Sequence, residues 1–210
     1  VVIQPNLISI DNYAFFKCSS IEKISIPSSV KFIGQNAFYG CSKLNQIIIP
    51  SSINSIGQGA FQNCSTLNLI EIPPSISSIE DNLFNRCNSL KQIMIPSSIK
   101  SIGQNAFYGC YSLLQVSIPL SVSSIDENAF YGCSSLKEVV IPSSVIYIGK
   151  GAFYSCSSLK QIEIPPSVTS IGDKAFYCCS SLIEIKFDPL LTKIEGNEFL
   201  ELEIELKPFE

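Results

Sequence analysis

The sequence predicts an α/β solenoid, in which one short strand and one short helical turn repeat along a single elongated domain. Two series of residues recur with a fixed step of 23. Cysteines end pentapeptides of the type Ala-Phe-Tyr-Gly-Cys at positions 18, 41, 64, 87, 110, 133, 156 and 179. Ile-Pro pairs keep the same step from Ile26-Pro27 to Ile164-Pro165. A fixed period of this length is typical of repeat proteins, whose units stack on one another.

Nine coils of 23 residues fill almost the whole chain. We place their first residues at 1, 24, 47, 70, 93, 116, 139, 162 and 185. Because no linker interrupts the coils, residues 1–210 are predicted to form one domain. The ninth coil is degenerate, since Asp188 replaces proline, Glu198 replaces alanine and Leu202 replaces cysteine. Terminal repeats need a polar outer face, so we interpret this coil as a cap, with a junction to a further segment as the alternative.

Each coil opens with the alternation of a short strand. Ile47 and Ile49 are two residues apart and share one face, while Ile48 points to the other. Pro50 has no N–H for a ladder, so it ends the strand. A second apolar set follows with the spacing of a helical stripe, as in Ala37, Phe38, Cys41 and Leu44. We therefore expect a short helical turn on the side opposite the strand.

The composition gives no basis for catalysis or cofactor binding. The 210 residues contain no histidine, which excludes a Ser-His-Asp or Cys-His nucleophile. The acidic pairs Glu80-Asp81 and Asp126-Glu127 stand before the predicted helical turn, where carboxylates cap free N–H groups. We predict a non-enzymatic chain with no catalytic residue, no metal site and no cofactor.

Charge and hydropathy narrow the classes of partner. A net charge of −4 without a Lys/Arg run argues against nucleic acid. No apolar stretch reaches the ~18 residues of a membrane span, so membrane insertion is not expected. The segment VVIQPNLISI has no initiator Met and no basic residues before an apolar run. We interpret the chain as an excised piece or a mature product without a signal peptide.

The string CSSLKEVVIPSSVIYIGKGAF, from Cys133 to Phe153, resembles the BspA-type leucine-rich repeat. Leu136, Val139 and Ile141 match the L-x-x-L-x-L core of that superfamily, and the resemblance covers essentially the whole chain. It implies a leucine-rich-repeat right-handed superhelix with a parallel sheet on the concave face and short helical turns on the convex side. Proteins of this family are surface-exposed or secreted molecules of bacteria and protozoan parasites, and they are linked to adhesion and virulence.

By this resemblance, the expected function is that of a protein-binding repeat domain in a cell-surface or secreted adhesin. The expected partner is an extracellular-matrix or cell-surface protein held on the concave face, and self-association is a further expectation. An alternative of another class is a passive structural spacer or a self-assembling stalk region.

Two columns of strand residues are predicted to form the concave face. They place spaced, isolated apolar side chains within a polar, mildly acidic frame, which suits protein recognition. These apolar points are Ile48, Leu69, Met94 and Val140. The alternative is that exposed strand positions simply favour Ile and Val. The candidate binding residues are Gln46, Ile48, Leu69, Glu71, Gln92, Met94, Gln115, Ser117, Glu138, Val140, Gln161 and Glu163.

A column of tyrosines follows the buried phenylalanines and is a secondary candidate surface. Tyrosine suits interfaces and carbohydrate stacking, and it also covers gaps between coils with its hydroxyl in water, so both interpretations stay open. The column consists of Tyr39, Tyr108, Tyr131, Tyr154 and Tyr177.

The periodic cysteines are predicted to form a ladder of buried thiols, because each lies three residues after a Phe and three before a Leu or Ile on the apolar stripe. Partial disulfide formation and a metal or redox role are the alternatives. Cys178 differs, since it takes a slot that other coils fill with Gly40, Asn63 or Arg86. We expect it to be exposed, either as a reactive or dimer-forming thiol or as an incidental surface residue.

Overall fold

The computed structural model describes residues 3–187, 193–195 and 205–207. The chain winds as a parallel β-solenoid with a step of 23 residues between hydrogen-bonded neighbours over almost all of its length. No helix occurs among the described residues. The strands fall into two series, one of three-residue strands and one of two-residue strands.

The three-residue strands form the concave face. They are β2 (Lys23–Ser25), β4 (Gln46–Ile48), β6 (Leu69–Glu71), β7 (Gln92–Met94), β9 (Gln115–Ser117), β11 (Glu138–Val140), β13 (Gln161–Glu163), β15 (Glu184–Lys186) and β17 (Glu205–Lys207). One six-stranded sheet consists of β2, β4, β6, β7, β9 and β11, and a second sheet consists of β13, β15 and β17. In β2, β4, β6, β7, β9, β11 and β13 the first and third residues are exposed and the second is buried, so the predicted alternation is confirmed.

The last coil is shorter than the others. Glu184 pairs with Glu205, a step of 21 residues instead of 23. The substitutions that led us to expect a cap, at Asp188, Glu198 and Leu202, lie outside the described residues. The cap therefore stays a prediction.

A second series of parallel strands, which the sequence did not predict, follows the concave series along the chain and forms a three-stranded and a five-stranded sheet. Its strands are β1 (Ser9–Ile10), β3 (Phe32–Ile33), β5 (Ser55–Ile56), β8 (Ser101–Ile102), β10 (Ser124–Ile125), β12 (Tyr147–Ile148), β14 (Ser170–Ile171) and β16 (Lys193–Ile194). Ile79 joins the series by a single bridge to Ile102. With two residues per strand, period-2 alternation is too short to be recognised in the sequence.

The predicted helical turn is wrong, because the convex side is a run of tight turns. The amide of Tyr39 donates to the carbonyl of Asn36 at 3.1 Å, within its coil, whereas that of Phe38 donates to Ala60 of the next coil at 2.8 Å. An α-helix would keep these N–H groups within one segment. Asn36 and Gly40 have φ of 52° and 70°, and such left-handed residues do not continue a right-handed helix.

A column of phenylalanine rings runs through the core. Neighbouring rings stack nearly parallel, with centroids 5.1–5.9 Å apart from Phe15 to Phe176. From Phe38 onward each ring is fully buried. A single coil therefore completes its core only by packing against its neighbours, as expected for a solenoid.

Serine hydroxyls tie successive coils together at the corner after each strand. The second serine of the Ser-Ser pair donates to a carbonyl of the preceding coil, as Ser98 does to Ile76 at 2.6 Å and Ser144 to Val122 at 2.7 Å. Ser167 is the exception, because its buried Oγ has no hydrogen-bond partner. The Ser-rich corners are thus structural, and one of them is incomplete.

Candidate functional site

All twelve candidate residues of the concave face are exposed to solvent. Three-residue strands with buried central residues hold them in place, since Ile47, Ile70 and Ile93 anchor β4, β6 and β7 in the core. Their side chains therefore stand on a fixed frame and lose little backbone entropy on binding.

Three of the apolar candidates form a contiguous group, which we call the apolar patch: Ile48, Leu69 and Met94. They lie on the successive strands β4, β6 and β7 and are 64%, 53% and 78% exposed. Leu69 pairs with Gln46 and Gln92, so it is a diagonal neighbour of Ile48 on one side and of Met94 on the other. Diagonal residues on adjacent strands are ~7–8 Å apart, within reach of one partner side chain.

The sequence predicted isolated apolar points, and the strand register corrects this for three of the four. Val140 remains separate, because Ser117 of β9 lies between it and Met94. A shallow depression of about 290 Å³ adjoins the apolar patch on the side of β2, where Lys23, Ser25 and Gln46 line it together with Ile48.

The concave ladder is interrupted between β11 and β13, which are adjacent but belong to different sheets. A cavity of about 460 Å³ opens there, and we call it the cleft. It is lined by Glu138, Val139, Val140, Ile141, Gln161, Ile162, Glu163, Pro165, Glu184 and Lys186.

The interruption is confined to the concave side of these two coils. On the convex side, the amide of Phe153 still donates to Ala175 at 2.8 Å, and that of Ser155 donates to Tyr177 at 2.8 Å. β12 also keeps its pairing with β14. The partnerless hydroxyl of Ser167 lies in the corner that follows β13. The two coils are therefore joined on the convex side and unpaired on the concave side. We call this wedge-shaped separation, which faces the candidate binding surface, the wedge.

The cleft carries an excess of negative charge. Lys186 contacts Glu184 with 3.6 Å between Nζ and Oε1. The ion pairs within the described ranges are this one and Lys193–Glu195, so the carboxylates of Glu138 and Glu163 have no cationic partner within 4 Å. With one lysine and three glutamates, the cleft suits a cationic group.

The tyrosine column is half-buried and stacks on itself. Ring centroids of Tyr108, Tyr131 and Tyr154 follow one another at 4.6 and 4.4 Å, nearly parallel, and Tyr177 continues the stack at 5.3 Å with a 32° tilt. Stacked neighbours cover the ring faces that a sugar would need. What the column offers to solvent is mainly ring edges and hydroxyls. Tyr39 stacks instead on Phe16 at 4.8 Å.

The cysteines are free thiols, and seven of the eight periodic ones are buried. Each buried thiol donates to the carbonyl oxygen of a phenylalanine in the preceding coil at 3.1–3.3 Å, as Cys110 does to Phe84. Burial raises the pKa of Cys41 to about 11 and that of Cys110 to about 12. Such thiols are protonated at neutral pH and are poor nucleophiles. Cys18, in the first coil, is half-buried.

Cys178 is exposed, as expected. Its φ of 60° matches the conformation of the glycine that other coils place there, such as Gly40 at 70°. Its Sγ lies 3.9 Å from the hydroxyl of Tyr154, and this contact with the thiol raises the pKa of Tyr154 to about 12.

The acidic pairs do not cap a helix, because none is present among the described residues. Instead, Oδ1 of Asp81 accepts a hydrogen bond from the amide of Gln104 in the next coil at 2.8 Å. Asp81 therefore joins two coils, and Oε2 of Glu127 likewise accepts from Nε2 of Gln104 at 3.4 Å, whereas Glu80 accepts from Ser78 within its own coil. In the described part of the chain, no group of three or more His, Cys, Asp or Glu side chains is placed to hold a metal ion. No helix there is long and apolar enough to cross a membrane.

Comparisons with known proteins agree with this architecture. Residues 1–114 and 100–209 match the family model of the BspA type leucine rich repeat region, with six copies. A leucine-rich repeat protein of T. pallidum is 34% identical and has a TM-score of 0.70, over 76% of this chain and 77% of that one. No curated protein matches.

Two more distant solved structures show the same fold. The pneumococcal vaccine antigen PcpA is 21% identical with a TM-score of 0.55, over 97% of this chain and 66% of that one. A leucine-rich repeat protein of Eubacterium ventriosum is 17% identical with a TM-score of 0.52, over 93% of this chain and 75% of that one.

Proposed function

Because this chain belongs to the BspA-type leucine-rich repeat family, we propose that it is a non-enzymatic, protein-binding domain of a surface or secreted adhesin. Its concave face engages host or microbial proteins, and the apolar patch is the anchor of that contact.

One observation carries the proposal: three large apolar side chains are exposed together on rigid strands, within a frame of Gln, Ser and Glu. The three patch residues are 53–78% exposed. Clustered exposed apolar groups with a polar rim are typical of protein interfaces. Burial of each of these side chains, Ile48, Leu69 and Met94, against a partner would contribute on the order of 1.5–3 kcal/mol to the free energy of binding. This is enough to make them the dominant anchors of an interface.

The experiment compares two triple variants in a solid-phase assay with a panel of extracellular-matrix proteins and with whole bacterial cells. Ile48→Glu, Leu69→Glu and Met94→Glu place three charges on the apolar patch. The matched control, Ile8→Glu, Leu120→Glu and Ile146→Glu, changes three other exposed apolar residues outside the strands of the concave face, with exposures of 55–74%.

The patch variant should lose binding by at least tenfold, while the control variant keeps it. Both should keep the thermal unfolding midpoint of the native protein, because the replaced side chains are exposed. If both variants bind like the native protein, the concave face is not the binding surface. A structural spacer would then account better for the fold.

A further inference from the structure

We propose that the partner of the concave face is an extended polypeptide segment that runs across the strands. It places an apolar side chain on the apolar patch and a lysine or arginine, about six residues away, in the cleft. This inference rests on the proposed function, since it names the chemistry of the ligand that the same face takes.

The cationic end of this ligand is argued from the cleft. Glu138 and Glu163 are exposed there without an ion pair within 4 Å, and Lys186, the register partner of Glu163 on β15, is in contact with Glu184 instead. Field lines concentrate in a concave recess where one sign of charge is in excess, here three glutamates against one lysine. The Debye length is ~8 Å at physiological ionic strength, so this attraction acts on a group inside the cleft and not along the whole face.

The cleft is large enough to take a long basic side chain of a bound polypeptide. About 460 Å³ opens over β11, β13 and β15, and it includes the edge of β13, where the concave ladder is interrupted. A long side chain such as arginine can enter this wedge while its backbone stays above the strands. Its guanidinium presents several donors that match the carboxylates.

The spacing of the two subsites follows from the strand order. Leu69 lies on β6 and Glu163 on β13, with β7, β9 and β11 between them. Three paired steps of ~4.8 Å, and the unpaired step from β11 to β13, which is at least as wide, give about 19 Å or slightly more. An extended chain advances ~3.3 Å per residue, so the apolar anchor and the basic residue are about six residues apart.

The test begins with a library of random 12-residue peptides displayed on phage and selected on the native domain. The patch variant serves for counter-selection. We expect enriched sequences that carry one or two large apolar residues and a Lys or Arg five to seven residues away. Enriched, patch-dependent sequences without a basic residue would overturn this inference and leave the proposed function standing. If no enriched peptide binds the native domain more tightly than the patch variant, both this inference and the proposed function of the concave face fail.

The second step measures an enriched synthetic peptide by isothermal titration calorimetry. Glu163→Gln or Glu138→Gln should weaken its binding by about tenfold, and replacing its basic residue by Gln should make these substitutions nearly neutral. The control Glu127→Gln alters an exposed acid outside the concave face and should bind like the native protein. Equal loss with all three glutamate variants would indicate a general charge effect, which would overturn the assignment of the cleft.

Discussion

The incomplete corner at Ser167 allows a paired substitution in which the same chemical change has opposite effects. Ser144 donates to the carbonyl of Val122 at 2.7 Å, whereas the buried hydroxyl of Ser167 has no partner. Both serines follow a three-residue strand and lie in equivalent slots of neighbouring coils. Ser144→Ala and Ser167→Ala therefore differ in whether a hydrogen bond between coils is lost.

The expected magnitudes follow from that difference. Ser144→Ala removes one hydrogen bond between coils and leaves an unpaired carbonyl, which costs about 1–2 kcal/mol of the free energy of unfolding. Ser167→Ala removes a buried hydroxyl that makes no bond, so it should leave stability unchanged or raise it by about 1 kcal/mol. For a chain of this size, 1 kcal/mol corresponds to about 2–4 °C in the unfolding midpoint.

The assay is thermal unfolding followed by circular dichroism, with urea unfolding as a second measurement. Ser98→Ala provides a further control, since Ser98 also donates to the preceding coil, and it should behave like Ser144→Ala. If Ser167→Ala lowers the midpoint as much as Ser144→Ala does, Ser167 makes the same bond as its equivalents. The wedge between the two coils would then be refuted.

Three further predictions concern the cysteines. A thiol reagent should modify about nine thiols in denatured, non-reduced protein. In the native protein it should modify Cys178 first and few other cysteines. A count near one after denaturation would show that the cysteines are not free thiols. Because burial raises the pKa of Cys41 from 9.0 to about 11 and of Cys110 to about 12, unfolding releases protons from these groups above pH 9, and stability should fall as pH rises from 9 toward 12. Cys110→Ala should make this fall shallower by up to ~1.4 kcal/mol per pH unit, seen in midpoints measured at pH 8 to 11. Cys178→Gly should raise stability by about 0.5–1 kcal/mol by relieving a left-handed backbone, whereas Cys178→Ser should not.

The repeat length and the buried face of each strand could be predicted from the sequence because both depend on burial, which imposes a periodic pattern. Ile24 and Ile26, for example, are 4% and 5% exposed, with the exposed Ser25 between them. The periodic cysteines could be assigned to the core for the same reason. The sequence pattern records which side chains face inward.

The convex side could not be predicted in the same way, because the spacing of Ala37, Phe38 and Cys41 fits both a helical stripe and a run of turns. A signal was present in the residues that tolerate a left-handed conformation. Asn36 and Gly40 both have positive φ, and Asn or Gly recurs at these slots in several coils. Two such residues within one turn favour tight turns over a helix.

The sequence predicted which residues of the candidate site are exposed, but not which of them are neighbours. Exposure of the two columns followed from the alternation of each strand, but the contiguity of the apolar patch depends on which strands are neighbours and in what register. Leu69 belongs to one column and Met94 to the other, so their proximity is visible only when β6 and β7 are paired. The cleft is harder still, since it arises from a missing pairing and not from any one residue.

The interruption of the ladder does have a sequence correlate. Two coils carry Pro-Pro where the others have a single proline, at Pro73-Pro74 and Pro165-Pro166. In both, the strand before the prolines is poorly joined to the preceding coil: β4 and β6 share one pair of residues, and β11 and β13 belong to different sheets. This local departure from the repeat coincides with a recess on the concave face where Glu138 and Glu163 have no ion pair within 4 Å, and it distinguishes one part of an otherwise repetitive surface for recognition.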